Sequence, residues 1–362
     1  MILVALAAFL PTFAAALLLT PRARGVALGA NLVAPVRPDR LHREVRPYGG
    51  GIALVATLAL VAAPGWVLFI PVLAWFVHEE ADPALPVALG AVAFFILGLL
   101  DDRYAFRAAP KLAIQFLAAG IAVVGYGVKA TVWLDEPCAS EAVSILWIVA
   151  VANAFNMLDH ADGLAAAVAC VAMMVLASGQ MMMGELLVPL MALLTAGAIA
   201  GFLVYNFPPA KLFMGDAGSM LVGYLLAALT MEAQYYFPEQ GTSKLVVLVP
   251  LALLAVPLFD MVCVVAARLW RRQNPMKGDA TSHLAHRMLA RGWSPRGIVA
   301  FAAGATAVTG AASASMYFLS GPALAAPWLV VAAVLAAMLL VRRPPRRPVH
   351  AEAARGSSQN QP

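Results

Sequence analysis

The stretch FFILGLLDDRYAFRAAPKLAIQFL, residues 94–117, decides how this chain is read. A long apolar run stops at two adjacent carboxylates, Asp101 and Asp102, and Lys111 then opens another apolar run. Composition accounts for the runs themselves. Of 362 residues, 62% are hydrophobic and 12% charged, where a soluble domain is nearer half apolar and a quarter charged. Runs of about 18 apolar residues are long enough to cross a bilayer. The expected fold class is an all-α polytopic membrane protein.

Hydropathy marks about eleven spans: 1–20, 49–70, 84–100, 112–128, 141–158, 164–181, 186–205, 217–234, 245–267, 297–319 and 325–341. The first lacks a basic n-region and a clear small-residue cleavage site, so it reads as a retained helix. Eleven crossings put the termini on opposite faces. Of the 24 Lys and Arg residues, 22 then fall on one face, and only Lys129 and Lys244 on the other. An excess of basic loops marks the cytoplasmic side, which leaves the N-terminus outside. Residues 1–341 form one transmembrane catalytic domain. Residues 342–362, rich in Pro, Arg, Ser and Gln, form a disordered basic cytoplasmic tail near anionic headgroups. The net charge of +5 flanks apolar segments, so the expected partner is the lipid bilayer and not nucleic acid. Cys138, Cys170 and Cys263 are too far apart in sequence to suggest a metal or disulfide pair.

Six aspartates, Asp101, Asp102, Asp159, Asp162, Asp216 and Asp260, all fall at the cytoplasmic ends of spans. Ionisable residues there are costly and point to function. Successive side chains on a helix diverge by about 100°, so Asp101 and Asp102 face different partners: one a metal or nucleophile, the other a cation such as Lys111. A solvated loop that stops the helix explains that pair equally well. In NAFNMLDHADGLA, 153–165, the residues Asn153, Asn156, Asp159 and Asp162 make one polar stripe if helical. Amides and carboxylates together suit a nucleotide or sugar, or oxygen coordination of Mg²⁺.

In NFPPAKLFMGDAGSMLVGYL, 206–225, two prolines break a span before Lys211, Phe213, Gly215, Asp216, Gly218 and Ser219 lead into the next. Small residues admit close approach of a ligand, and new helix N–H groups suit phosphate. Asp216 is there either an N-cap or a metal ligand. In DATSHLAHRMLARGW, 279–293, His283 and His286 share a helix face beside Arg287. Two histidines can bind Zn²⁺, but the carboxylates and the lack of cysteine favour hard-cation chemistry, with the histidines pairing with phosphate. The basic loop RPDRLHREVRPYGGG, 37–51, adds His42, Arg43 and Arg46 before three glycines. An Asp-rich cleft ready for Mg²⁺ fits transfer of a phosphorylated group from a soluble donor to a lipid acceptor. A transporter with a polar gate is the reading from another class, but its ionisable groups belong at the bilayer midplane.

These motifs, in this order from about Arg40 to Gly292, resemble the polyprenyl-phosphate N-acetylhexosamine-1-phosphate transferases. They are PYGGG, GLLDDRYAFRAAPKLAIQ, NAFNMLDHADGLA, PAKLFMGDAGS, PLFDMV and HLAHR. The resemblance implies transfer of a sugar-1-phosphate from a UDP-N-acetylhexosamine to undecaprenyl phosphate in a bacterial inner membrane, with release of UMP. It implies Mg²⁺, with Mn²⁺ as a substitute, and a homodimer as an open assembly. Asp101 and Asp102 match residues of nucleophile activation and the metal region, Lys111 and Gln115 the downstream pair, and Asp216 the Mg²⁺ ligand. Asn156, Asp159, Asp162, Asn206 and Phe213 match nucleotide-side positions, and His283 and His286 the histidine motif. His160 stands where the family commonly has Gly, Ala285 where it has a middle His, and Tyr48 where Arg is frequent. The H-x-x-H-R form and eleven spans favour the UDP-GlcNAc branch over the one that takes UDP-N-acetylmuramoyl-pentapeptide.

Overall fold

The computed structural model describes residues 2–33, 46–61, 84–125, 127–129, 136–274 and 282–342. Arg43, His42 and the tail from 343 lie outside them. The chain is helical: α1 (Ile2–Gly29), α2 (Gly50–Val61), α3 (Ala84–Tyr104), α4 (Ala108–Gly120, ending in a π turn), α5 (Pro137–Leu158), α6 (Leu164–Met182), α7 (Leu187–Asn206), α8 (Gly215–Glu232), α9 (Val249–Leu253), α10 (Ala255–Trp270), α11 (Leu284–Leu289), α12 (Pro295–Ser315) and α13 (Ala325–Arg342). Among the described residues, eight helices are long and apolar enough to cross a membrane, or nine if Lys244–Leu253 and Ala255–Trp270 count as one span. Of the other spans expected from hydropathy, 49–70 is described only as far as Val61, and 217–234 corresponds to α8.

The span expected over 245–267 is broken, with its two parts meeting at 67°. Pro257 has no N–H to give the carbonyl of Leu253, so the helix ends and restarts at Leu254. Pro21 sits inside α1, which runs on to Gly29, past the apolar stretch expected to end at residue 20. It strips the Leu17 carbonyl of its helical donor, and the Tyr205 hydroxyl of α7 donates to that carbonyl instead, at 3.0 Å. A stray carbonyl in a bilayer costs several kcal/mol. The same two helices pack closely through small residues. A Cβ on Gly197 would stand 2.1 Å from Thr12 Oγ1, and one on Gly201 would stand 2.6 Å from Ala16 Cβ.

The centre of the bundle is α8, buried on all sides from Ala217 to Met231. A helix apolar all round belongs in such a place. Its polar first turn, Gly215–Asp216, is held by α2 and α3 at very short range. A Cβ on Gly98 would lie 2.3 Å from the Asp216 carbonyl oxygen, and one on Gly51 would lie 2.6 Å from Ala217 Cβ. Gly50 N–H donates to Phe213 O at 3.0 Å and Gly51 N–H to Met214 O at 3.1 Å. The glycine run after Tyr48 is therefore the surface on which the FMGD segment rests.

Gly98→Ala should lower the thermal stability of the detergent-solubilised protein, by about 1–3 kcal/mol for an overpacked contact. Gly304→Ala, with nothing within 4 Å of the new Cβ, should be neutral or stabilising by about 0.5–1 kcal/mol. Equal melting temperatures for the two variants would contradict the close α3–α8 contact.

Candidate active site

α3, α4, α5 and α8 bring one cluster together at their motif ends. Lys111 of α4 places its ammonium between two carboxylates, 2.5 Å from Asp101 Oδ2 and 2.7 Å from Asp216 Oδ2. It also donates to Asn156 Oδ1 at 3.1 Å. Asn156 Nδ2 donates to Asp216 Oδ1 and to Ser219 Oγ, each at 3.0 Å. Asp101 Oδ1 is occupied by the Phe106 N–H at 2.7 Å, which closes the turn after α3. The Asp216 side chain is 37% exposed, against 7% for Asp101.

Asp102 does different work. Its Oδ1 accepts the Asp216 N–H at 2.8 Å and its Oδ2 the Ala217 N–H at 3.0 Å. The first N–H groups of a helix have no partner within it, and a carboxylate there also meets the positive end of the helix dipole. Asp216 therefore does not cap its own helix, and its side chain is left to face the cluster.

The asparagine–aspartate stripe expected over 153–162 is only half formed. α5 ends at Leu158, so only Asn153 and Asn156 lie on it. Asn153 Nδ2 turns to Gln115 Oε1 at 2.6 Å. Asp159 is buried close to Asp216 and Asp102, and that burial, then their charges, push its carboxyl well above the usual range. Asp162 lies beyond the helix and faces elsewhere, toward the Ala210 N–H at 2.9 Å and Arg46 at 3.3 Å. The turn that carries it needs Gly163, whose φ is +71°. Asn206 is buried and ties Gly163 N–H (3.1 Å) to Leu212 O (2.9 Å). Lys211 is exposed. The Phe213 ring carries the Arg46 guanidinium at 5.7 Å. Arg46, Asp162, Pro208, Pro209, Leu289 and Arg296 line part of a cleft of about 460 Å³.

The histidines form a second cluster beside the same turn. His283 Nδ1 lies 3.0 Å from Asp260 Oδ2. The His160 ring stacks near His283 and His286, with centroids 4.2 and 5.4 Å apart. His160 Nδ1 lies 2.8 Å from the Met157 carbonyl, so that nitrogen carries the proton. Burial, then the neighbouring His283, drives its pKa down to about 3. Arg287 spends one donor on the Arg342 carbonyl at 2.9 Å. Arg342 was assigned to the tail by hydropathy. It is in fact the last residue of α13, buried and paired with Asp260 at 2.8 Å. A charge ending an apolar run followed by further arginines looks like any stop signal, so no sequence pattern singled it out.

The resemblance implies a Mg²⁺ ion, and the donor set fits one. Asp101, Asp216 and Asn156 turn three hard oxygens toward a single cation, the Lys111 ammonium. Among the described residues no group of three or more His, Cys, Asp or Glu side chains makes a metal site by itself. Mg²⁺ takes one or two carboxylates and completes its shell with water and substrate phosphate. Of the two carboxylates, Asp216 is the one exposed enough to meet such a shell.

Lys111→Met should lower stability by about 3 kcal/mol, because it leaves Asp101 buried without its cation. Adding Asp101→Asn should restore part of that loss, and additive losses in thermal unfolding would contradict the pairing. His160 is held neutral in the fold and gains a proton on unfolding below its ordinary pKa of about 6.5. The unfolded state then binds more protons, so stability falls as pH drops from 6.5 toward 3, by up to about 1.4 kcal/mol per unit. His160→Phe should flatten that fall between pH 7 and 5, and an unchanged slope would remove His160 as its source.

The sequence pattern of glycosyl transferase family 4 matches residues 84–234, which hold the Asp101, Lys111, Asn156 and Asp216 cluster. The chain is 30% identical over 299 residues to a probable undecaprenyl-phosphate N-acetylglucosaminyl 1-phosphate transferase of Bacillus subtilis, covering 80% of this chain and 78% of that protein. It is 31% identical over 361 residues to the decaprenyl-phosphate N-acetylglucosaminephosphotransferase of Mycolicibacterium smegmatis, covering 89% and 85%. An undecaprenyl-phosphate alpha-N-acetylglucosaminyl 1-phosphate transferase of Yersinia pestis is 25% identical, with 88% and 85% covered. The chain belongs to glycosyl transferase family 4, alongside its polyprenyl-phosphate N-acetylglucosaminyl-1-phosphate transferases.

Proposed function

We propose that this protein transfers N-acetylglucosamine-1-phosphate from UDP-N-acetylglucosamine to undecaprenyl phosphate, with release of UMP. In this reading it works at the cytoplasmic face of a bacterial inner membrane and opens the synthesis of a cell-envelope glycan. One observation carries it: the Lys111 cluster sits beside exposed apolar surface. Leu100 precedes Asp101, and Ile114 and Leu117 follow Lys111 on α4; all three are exposed apolar residues. A polyprenyl chain can lie along that surface while its phosphate reaches Lys111. The face follows from the basic loops.

An acceptor phosphate oxygen attacks the β-phosphorus of the donor. The bond from that phosphorus to the oxygen bridging the two phosphates breaks, and UMP leaves with the electron pair. A phosphate monoester has a second pKa near 6, so near neutral pH no side chain has to deprotonate the acceptor. Lys111 supplies positive charge where the two phosphates meet, and Asp101 keeps it aimed. Asp102 holds the first turn of α8, so that Asp216 stands at the open side. Asp216, with Asp101 and Asn156 near, would hold a Mg²⁺ ion, which would supply charge neutralisation for the diphosphate and the UMP leaving group. His283 and His286 face the phosphates, and the nucleoside reaches toward the Arg46 and Asp162 cleft.

Purified protein in detergent should release UMP from UDP-N-acetylglucosamine only when undecaprenyl phosphate and Mg²⁺ are both present. UDP-N-acetylgalactosamine and UDP-N-acetylmuramoyl-pentapeptide serve as competing donors. Asp216→Asn should cut turnover at least about 100-fold, the scale for one preorganised charge-stabilising group. Turnover with the pentapeptide donor alone would move the protein to the other branch. Silence with every donor from folded protein would overturn the reading.

A further inference from the structure

The carboxylate of Asp260 gathers three elements. Its side chain is 1% exposed. Oδ2 faces His283 Nδ1 at 3.0 Å, while Oδ1 accepts the Leu284 N–H at 3.0 Å and Arg342 Nη2 at 2.8 Å. Arg342 Nη2 also donates to the Ser282 carbonyl at 3.1 Å, just before His283. The contact is reciprocal. Arg287 donates to the Arg342 carbonyl at 2.9 Å, and Arg291 to the Leu340 and Val341 carbonyls at 2.8 and 2.9 Å. Guanidinium groups thus close the carbonyl end of α13, where cations are favoured, and α13 returns one to the histidine segment.

We propose that Arg342 is a positioning residue for His283, acting through the carboxylate they share on Asp260. An unpaired buried carboxylate is strongly destabilising, so Asp260 keeps a fixed orientation only while its cation is present. With Arg342 on Oδ1, Oδ2 is left to hold His283 Nδ1. That fixes the ring through Nδ1, and the partner of one ring nitrogen sets the state of the other. The C-terminal helix thereby becomes part of the site, although Arg342 lies more than a hundred residues beyond the stretch that matches the family pattern.

The inference rests on the phosphotransferase reading, and its test separates the two. Full-length Arg342→Met, Arg342→Lys, His283→Gln and the His283→Gln, Arg342→Met pair are compared in UMP release and in thermal unfolding. Arg342→Met should lower kcat roughly tenfold with the donor KM changed less than about twofold, the pattern of a lost transition-state interaction. Arg342→Lys should recover most of kcat. In the His283→Gln background, Arg342→Met should add no further loss of kcat, and the melting-temperature changes should be non-additive, as for groups in one network. Multiplicative losses in kcat together with additive losses in melting temperature would overturn the proposal. If wild-type protein releases no UMP but the melting-temperature coupling persists, the phosphotransferase reading fails and the Arg342–His283 link stands.

Discussion

The two oxygens of Asp102 take the N–H groups of Asp216 and Ala217, and the rest of the motif end depends on that clamp. α8 is buried almost throughout, so water cannot satisfy the free donors of its first turn. A carboxylate from a neighbouring helix does so, and only because α3 and α2 approach through Gly98 and Gly51. Once the turn is fixed, Asp216 points at Lys111 and Asn156. The paired aspartates are thus unlike: Asp101 holds a cation, and Asp102 holds a helix.

How much of this was legible in the sequence can be argued residue by residue. The gathering of aspartates at one end of the spans was readable, because hydropathy places them there and the fold keeps Asp101, Asp102, Asp159 and Asp216 within each other's electrostatic reach. The divergence of Asp101 and Asp102 was readable from helix geometry, but their assignment was not. Which of the two meets a cation depends on where α8 packs, a long-range fact. The stripe through Asp162 failed because α5 stops at Leu158, and periodicity cannot say where a helix ends. The sequence shows the glycines after Tyr48 but not what packs on them; their close neighbours are Phe202, Met214 and Ala217 of this chain. Arg342 was invisible, since hydropathy counts a buried arginine and an exposed one alike.

Two departures from the family pattern fall in one place. Ala285, where a middle histidine is common, is fully buried in the first turn of α11. His160, where glycine is common, brings an imidazole from the 159–163 turn onto His283 and His286. The third ring is therefore delivered from the turn that follows Asp159, not from α11. It links the carboxylate cluster to the histidine segment through one residue that is neutral in the fold.

The partners sort the carboxylates into two kinds. Asp102 accepts two backbone N–H groups, which nothing in solution can replace, so it is part of the architecture. Asp101, Asp162 and Asp260 each combine a backbone N–H with a cation, and Asp216 pairs with Lys111 and the Asn156 amide; one cation can be exchanged for another. Exchange also requires access. Asp260 is sealed and Asp101 nearly so, whereas the Asp216 side chain is 37% exposed and shares its cation with another carboxylate. Giving up Lys111 at Asp216 leaves that ammonium still held by Asp101, so the cost of a buried unpaired charge does not arise. Asp216 is thus the carboxylate in this cluster that can change partners without unmaking the fold around it.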